Sequence, residues 1–155
     1  MTVLLRNKKV GLKYEILDRY TGGIVLEGHE VKSLRDKQGS MEGSFVSFRN
    51  KKSGVNELWI RNLTIPAYQP KNVSDSYDPE RERKILVKKE EIRAIERELN
   101  TAGVTLVPLS IDARGARIKL DFALVRGKKK FDKREDMKKK TAARDAAREA
   151  KARLR

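Results

Sequence analysis

The last thirty residues of this chain cannot build a core of their own, so folding falls to the first 125. From Arg126 to Arg155 the only large apolar side chains are Phe131, Met137 and Leu154, while 14 basic residues stand against 5 acidic ones. Ordering such a segment costs roughly 1–2 kcal/mol per residue, and it has too little apolar surface to offset that alone. It carries +9 of the chain's net +15. The first 125 residues carry +6, and a domain of that size buries roughly two-thirds of its unfolded surface. The expected organisation is therefore a folded domain at 1–125 and a basic tail at 126–155 that either rests on something else or stays disordered.

The body reads as mostly β. Leu12–Arg19 leans towards strand, Gly22-Gly23 reads as a turn, and Ile24–Leu26 resumes an extended run. Glu30–Asp36 has the length of about two helical turns. Ser44–Asn50 and Glu57–Ile65 alternate as partner strands across a KKSGVN loop. Pro66–Glu80 is a long loop with three prolines, and Lys84–Lys88 is a short strand. Lys89–Asn100 places Ile92, Ile95 and Leu99 on one helical face, with Gly103 just past its end. Val104–Ile111 and Ala116–Val125 form a hairpin. Six or seven strands with two helical inserts suggest a small closed or nearly closed antiparallel barrel.

The composition excludes several kinds of chemistry. Without cysteine there is no disulfide and no thiolate, which suits a reducing cytoplasmic setting. The start, MTVLLRNKK, does not have the form of a signal peptide, and no apolar run approaches a membrane span. His29 is the single histidine, so histidine-paired nucleophiles and multi-histidine metal sites are ruled out. Glu27, Glu30 and Asp36 could in principle hold Mg²⁺ for a nuclease, although such acidic neighbours are ordinary surface features. No phosphate-binding glycine loop occurs. The expectation is a protein that is not an enzyme and uses no cofactor, metal or small-molecule substrate.

Nucleic acid is the partner that a basic chain of this kind fits. Lysine and arginine neutralise phosphates and release counterions. Phe131 in KKKFDKR offers a ring for base stacking among basic residues. The tail is rich in Ala, Lys, Arg and Glu and contains no proline, so it is a conditional helix. Wound as one, it aligns Lys133, Lys140, Arg144, Arg148, Lys151 and Arg155 in a basic stripe, while like-charge neighbours oppose the helix in free solution.

Five stretches together resemble the small protein B family, the SsrA-binding proteins of bacterial trans-translation. They are Gly28–Arg35 (GHEVKSLR), Asp78–Leu86 (DPERERKIL), Thr105–Leu109 (TLVPL), Arg126–Lys129 (RGKK) and Phe131–Glu135 (FDKRE), in the family's order. The resemblance implies a six-stranded closed antiparallel barrel related to the oligonucleotide-binding fold, with packed helices. It also implies a tail that is disordered when free and helical on the ribosome. The implied partners are transfer-messenger RNA and the small-subunit decoding centre and message channel of stalled ribosomes.

Residue by residue, the resemblance implies RNA contacts at Asn7, Lys8, Lys9, Thr21 and Leu86. It implies ribosome contacts at Phe45, Gly127, Lys128, Lys129, Phe131, Asp132, Lys133 and Arg134, with the basic stripe in the message channel. The chain departs from the family at Thr21-Gly22-Gly23, where Glu-Ala-Gly is common, and the contact at Thr21 is thereby put in question. Thr64, His29 and Gly11-Leu12-Lys13 also differ from the usual residues. The competing reading is a basic ribosomal or ribosome-assembly protein that binds ribosomal RNA.

Overall fold

The computed structural model describes residues 2–49, 56–69, 71, 73, 75–127 and 144. Seven strands and three helices follow one another along it: β1 (Thr2–Arg6), α1 (Val10–Lys13), β2 (Tyr14–Ile24), α2 (Gly28–Arg35), β3 (Phe45–Arg49), β4 (Glu57–Arg61), β5 (Arg83–Leu86), α3 (Lys89–Leu99), β6 (Val104–Arg114) and β7 (Arg117–Gly127).

Six of the strands close a ring in the order β6-β3-β4-β5-β2-β7, with β7 returning to β6. All pairings are antiparallel. β1 is the seventh strand and, among the described residues, pairs only with β6. Since β7 occupies one edge of β6, β1 and β3 share the other: β1 takes Ser110–Ala113, and β3 touches it at Val46↔Leu106. The six-stranded closed barrel is thus present, lengthened along one edge by β1. Closure leaves few unpaired strand edges, which open sheets must otherwise protect.

The interior follows from alternation. Leu58 and Ile60 of β4, Ile85 of β5 and Leu120, Phe122 and Leu124 of β7 point inward and are buried. α3 adds Ile95, fully buried, and α2 adds Leu34. A second apolar cluster lies outside the ring, where α1 lays Val10 over Val107, Ala123 and Val125.

Two local readings of the sequence are corrected. Gly22-Gly23 is not a turn; both residues lie inside β2, which pairs continuously with β7 across them. Glycine is needed there for closeness rather than for turning. A Cβ on Gly22 would lie 2.8 Å from Ile85 Cγ2 and 2.9 Å from the Leu86 carbonyl oxygen. The other correction is at Leu12–Lys13, expected to open the first strand run: both belong to α1, and β2 begins at Tyr14. The hairpin turn does need its glycine. Arg114 pairs with Arg117 around Gly115, whose φ is +62°.

One polar cluster sits within the barrel structure. Glu30 of α2 is fully buried and accepts hydrogen bonds from Arg83 Nε at 2.8 Å and Arg81 Nη2 at 2.5 Å. The Tyr77 hydroxyl lies 2.8 Å from the same carboxylate. Arg83, also fully buried, donates to the carbonyls of Leu63 and Pro79 at 2.6 and 3.0 Å. Two of the stretches that carry the family resemblance, 28–35 and 78–86, therefore meet here and fasten the 66–80 loop to α2 and β5. Burial alone would raise the Glu30 pKa. The hydrogen bonds from Arg81, the Glu27 backbone N–H and Arg83 outweigh it and hold the carboxyl at about 2. Burial, followed by the hydrogen bond to Glu30, pushes Tyr77 up to about 12.

This cluster also takes Glu30 out of the acidic trio with Glu27 and Asp36. Glu30 is enclosed by arginines, so it is not open to a metal ion beside Glu27 and Asp36. Among the described residues no group of three or more acidic or metal-ligating side chains could hold an ion.

Candidate nucleic-acid interface

The residues implied as RNA contacts fall into two places on the outer surface. The first is a cleft of about 710 Å³ between β1, α1, the 39–45 loop and β6. Asn7, Lys8 and Lys9 line it together with Phe45, which the resemblance had assigned to the ribosome side. Arg6, Lys13 and Tyr14 line it too, and the sequence reading had missed them. For Arg6 and Lys13 the signal was the density of basic residues, four in the eight from Arg6 to Lys13, which converge only once β1 and α1 are recognised.

The cleft is strongly cationic, with Arg6, Lys8, Lys9 and Lys13 against Glu42. Lys9 Nζ lies 3.4 Å from Glu42 Oε1, and both side chains are exposed, so this pair adds little. Phe45 is 39% exposed, a ring left open at the rim of a basic cleft. Asn7 is partly committed: its side-chain amide donates to the Pro108 carbonyl at 2.9 Å, which fixes the chain where β1 ends.

The second place holds Thr21 and Leu86. Gly23 pairs with Leu86 across the β2–β5 seam, and Thr21 lies two residues along the same outer face. Leu86 is 52% exposed, the most open large apolar side chain among the described residues. Thr21 is held from the other side, its hydroxyl donating to Asp121 Oδ1 at 2.7 Å. Arg114 Nη2 reaches the same oxygen at 3.2 Å. Beside them Asp112 is buried, and burial with the neighbouring Asp121 raises its pKa.

Gly127 ends β7 opposite Tyr14, and Arg126 pairs with Glu15 at 2.9 Å. Strand order therefore runs two residues beyond the boundary expected at 125. Arg144 is exposed. Lys128, Lys129, Phe131, Asp132, Lys133, Arg134, Lys140, Arg148, Lys151 and Arg155 lie outside the described residues. No described helix is long and apolar enough to cross a membrane.

A closed barrel with a cationic cleft, a half-open ring at its rim and an exposed leucine beside a polar seam has the surface chemistry of an RNA-binding protein. Comparison with known proteins makes that class particular. The SmpB protein family matches residues 4–152. An SsrA-binding protein from Neorickettsia sennetsu is 42% identical over 150 residues, covering 96% of this chain and 98% of the relative. Another, from Streptococcus mutans, is 38% identical over 149 residues, with 96% and 92% covered. Among solved structures, a chain described under "tmRNA-SmpB: a journey to the center of the bacterial ribosome" matches with a TM-score of 0.64 and 39% identity, covering 81% of this chain and 85% of that one. The chain belongs to the SmpB family.

Proposed function

We propose that this protein binds transfer-messenger RNA, the SsrA RNA, and delivers it to stalled ribosomes so that the nascent chain is tagged by trans-translation. Family membership along nearly the whole chain carries this reading. The surface supplies the chemistry. The barrel holds the tRNA-like part of the RNA through the cationic cleft at Asn7, Lys8 and Lys9 and the patch at Thr21 and Leu86. Phe45, Gly127 and the start of the tail face the decoding centre. The tail, with Lys140, Arg144, Arg148, Lys151 and Arg155 along one side, lies in the empty message channel of a cytoplasmic ribosome and becomes helical there.

Sequencing the RNA that co-purifies with the protein tests the reading. One dominant structured RNA with a tRNA-like acceptor end is expected. Bulk ribosomal RNA, retained through high-salt washing, would point to a permanent ribosomal component.

Phe131 is proposed to stack on a base of the decoding centre. Phe131→Ala is expected to slow accommodation of the charged RNA on a stalled ribosome, with a loss of roughly 1–3 kcal/mol for one base–ring stack. Affinity for the free RNA and the melting temperature stay nearly unchanged. Phe131→Tyr and Phe131→His keep most activity because each keeps a flat ring, whereas Phe131→Leu does not. Equal activity of the Leu and Tyr variants in a tagging assay would show that the ring packs rather than stacks.

A further inference from the structure

We propose that the outer face of β3, β4 and β5 is a contact surface for a strand of the tRNA-like part of transfer-messenger RNA, centred on Trp59 and Arg49, with Glu82 occupying the place of an RNA phosphate. The assignment rests on the RNA-binding function proposed above.

The strand register lays this face out. Phe45 stands opposite Arg61, Ser47 opposite Trp59, and Arg49 opposite Glu57. Trp59 in turn stands opposite Lys84 of β5, two residues from the open Leu86. A strip therefore runs from Arg61, opposite Phe45 at the rim of the basic cleft, through Trp59 and Arg49 to Lys84 and Leu86 at the second patch, joining the two places; its acids, Glu57 and Glu82, are paired to Lys84 and to the two arginines.

Arg49 crosses the strip diagonally. Its guanidinium carbon lies 4.0 Å from the centroid of the Trp59 ring, and its far end is hydrogen-bonded to Glu82. Arg61 Nε lies 3.5 Å from the same carboxylate. Two arginines converging on one anion over an aromatic ring present what an RNA strand requires: a forked grip on phosphate and a plane for a base. Trp59 Nε1 and Ser47 Oγ, on paired strands beneath Arg49, are buried and have no hydrogen-bond partner. Buried donors of that kind are uncommon and call for a partner. When a phosphate takes both arginines from Glu82, Arg49 leaves the ring and these donors open to a base. An outer face of this chemistry on a chain of net +15 suits an RNA strand better than a protein.

Trp59 is the chain's only tryptophan, so its fluorescence reports on this face alone. The full-length protein is titrated with a tRNA-like fragment of transfer-messenger RNA, and binding is followed in parallel by anisotropy of the end-labelled RNA. Trp59 emission is expected to fall by about half or more and to saturate together with the anisotropy. Arg49→Glu weakens binding about tenfold or more, while Arg93→Glu, the same charge change on α3, weakens it less than about threefold. Glu82→Gln, which releases both arginines, tightens binding several-fold.

RNA binding that leaves Trp59 emission unchanged would overturn the surface while sparing the function. So would emission that responds only to ribosomal subunits or to an acidic polypeptide. Equal losses from Arg49→Glu and Arg93→Glu would reduce the effect to net charge. Absence of any RNA binding by anisotropy would sink the proposed function and this surface with it.

Discussion

Glu30→Ala is expected to destabilise the folded domain by about 3–5 kcal/mol, the cost of breaking one partner out of a buried ion pair. The size of the loss comes from what is left behind. Arg83 is fully buried, and without Glu30 its charge keeps only uncharged acceptors, the Tyr77 hydroxyl and carbonyls such as those of Leu63 and Pro79. Glu30→Gln preserves acceptor oxygen but not charge, so its loss is smaller. Urea denaturation of the three proteins measures both. The acid limb gives a second readout. The Glu30 carboxyl is held at about 2, below its ordinary 4.5, so its contribution is present above pH 4.5 and fades as the pH falls towards 2. A shift of that size corresponds to about 3 kcal/mol. Glu30→Gln flattens stability across that acid window. An unchanged midpoint in Glu30→Ala would mean that the cluster does not hold the loop to the barrel.

Ending the chain after Gly127 is expected to abolish tagging while leaving affinity for the free RNA within about threefold at low salt, since the barrel keeps its own phosphate contacts. The cut follows the structure: Gly127 is the last residue paired in β7, and Arg126 holds Glu15. A salt series on both proteins provides the check, with the two expected to show nearly the same slope because the barrel makes the phosphate contacts in each. Loss of RNA binding at every salt concentration would overturn the division of labour between barrel and tail.

The parts of the fold legible in the sequence were those that alternate. Val46 against Phe45, and Leu58 with Ile60 against Trp59, sort correctly to the inside and outside of β3 and β4. The α3 face was legible for a similar reason, with Ile95 buried at its centre. What escaped was set by distant partners. Gly22-Gly23 carries the local signature of a turn, yet β7 runs unbroken alongside and β5 approaches too closely for a side chain. β1 is a strand because β6, a hundred residues away, offers it an edge. The candidate site shows the same division. Lysines announce themselves, and the resemblance supplied Thr21, Phe45 and Leu86. The stacking of Arg49 on Trp59 and their link to Glu82 depend on cross-strand register, which no local window contains.

The order of pairing has a consequence for how the protein is made. β1 and β2 leave the ribosome first, but their principal partners, β6 and β7, leave last. Until then β2 has only β5, across Gly23 and Ile24, to pair with. The barrel is dominated by non-local contacts and cannot close on a partial chain, so its early strands wait with open edges, the state most prone to aggregate. A ribosome that halts on this protein's own message before Arg117 therefore holds a product with no closed form to reach, and destruction of that fragment removes it before its edges find one another.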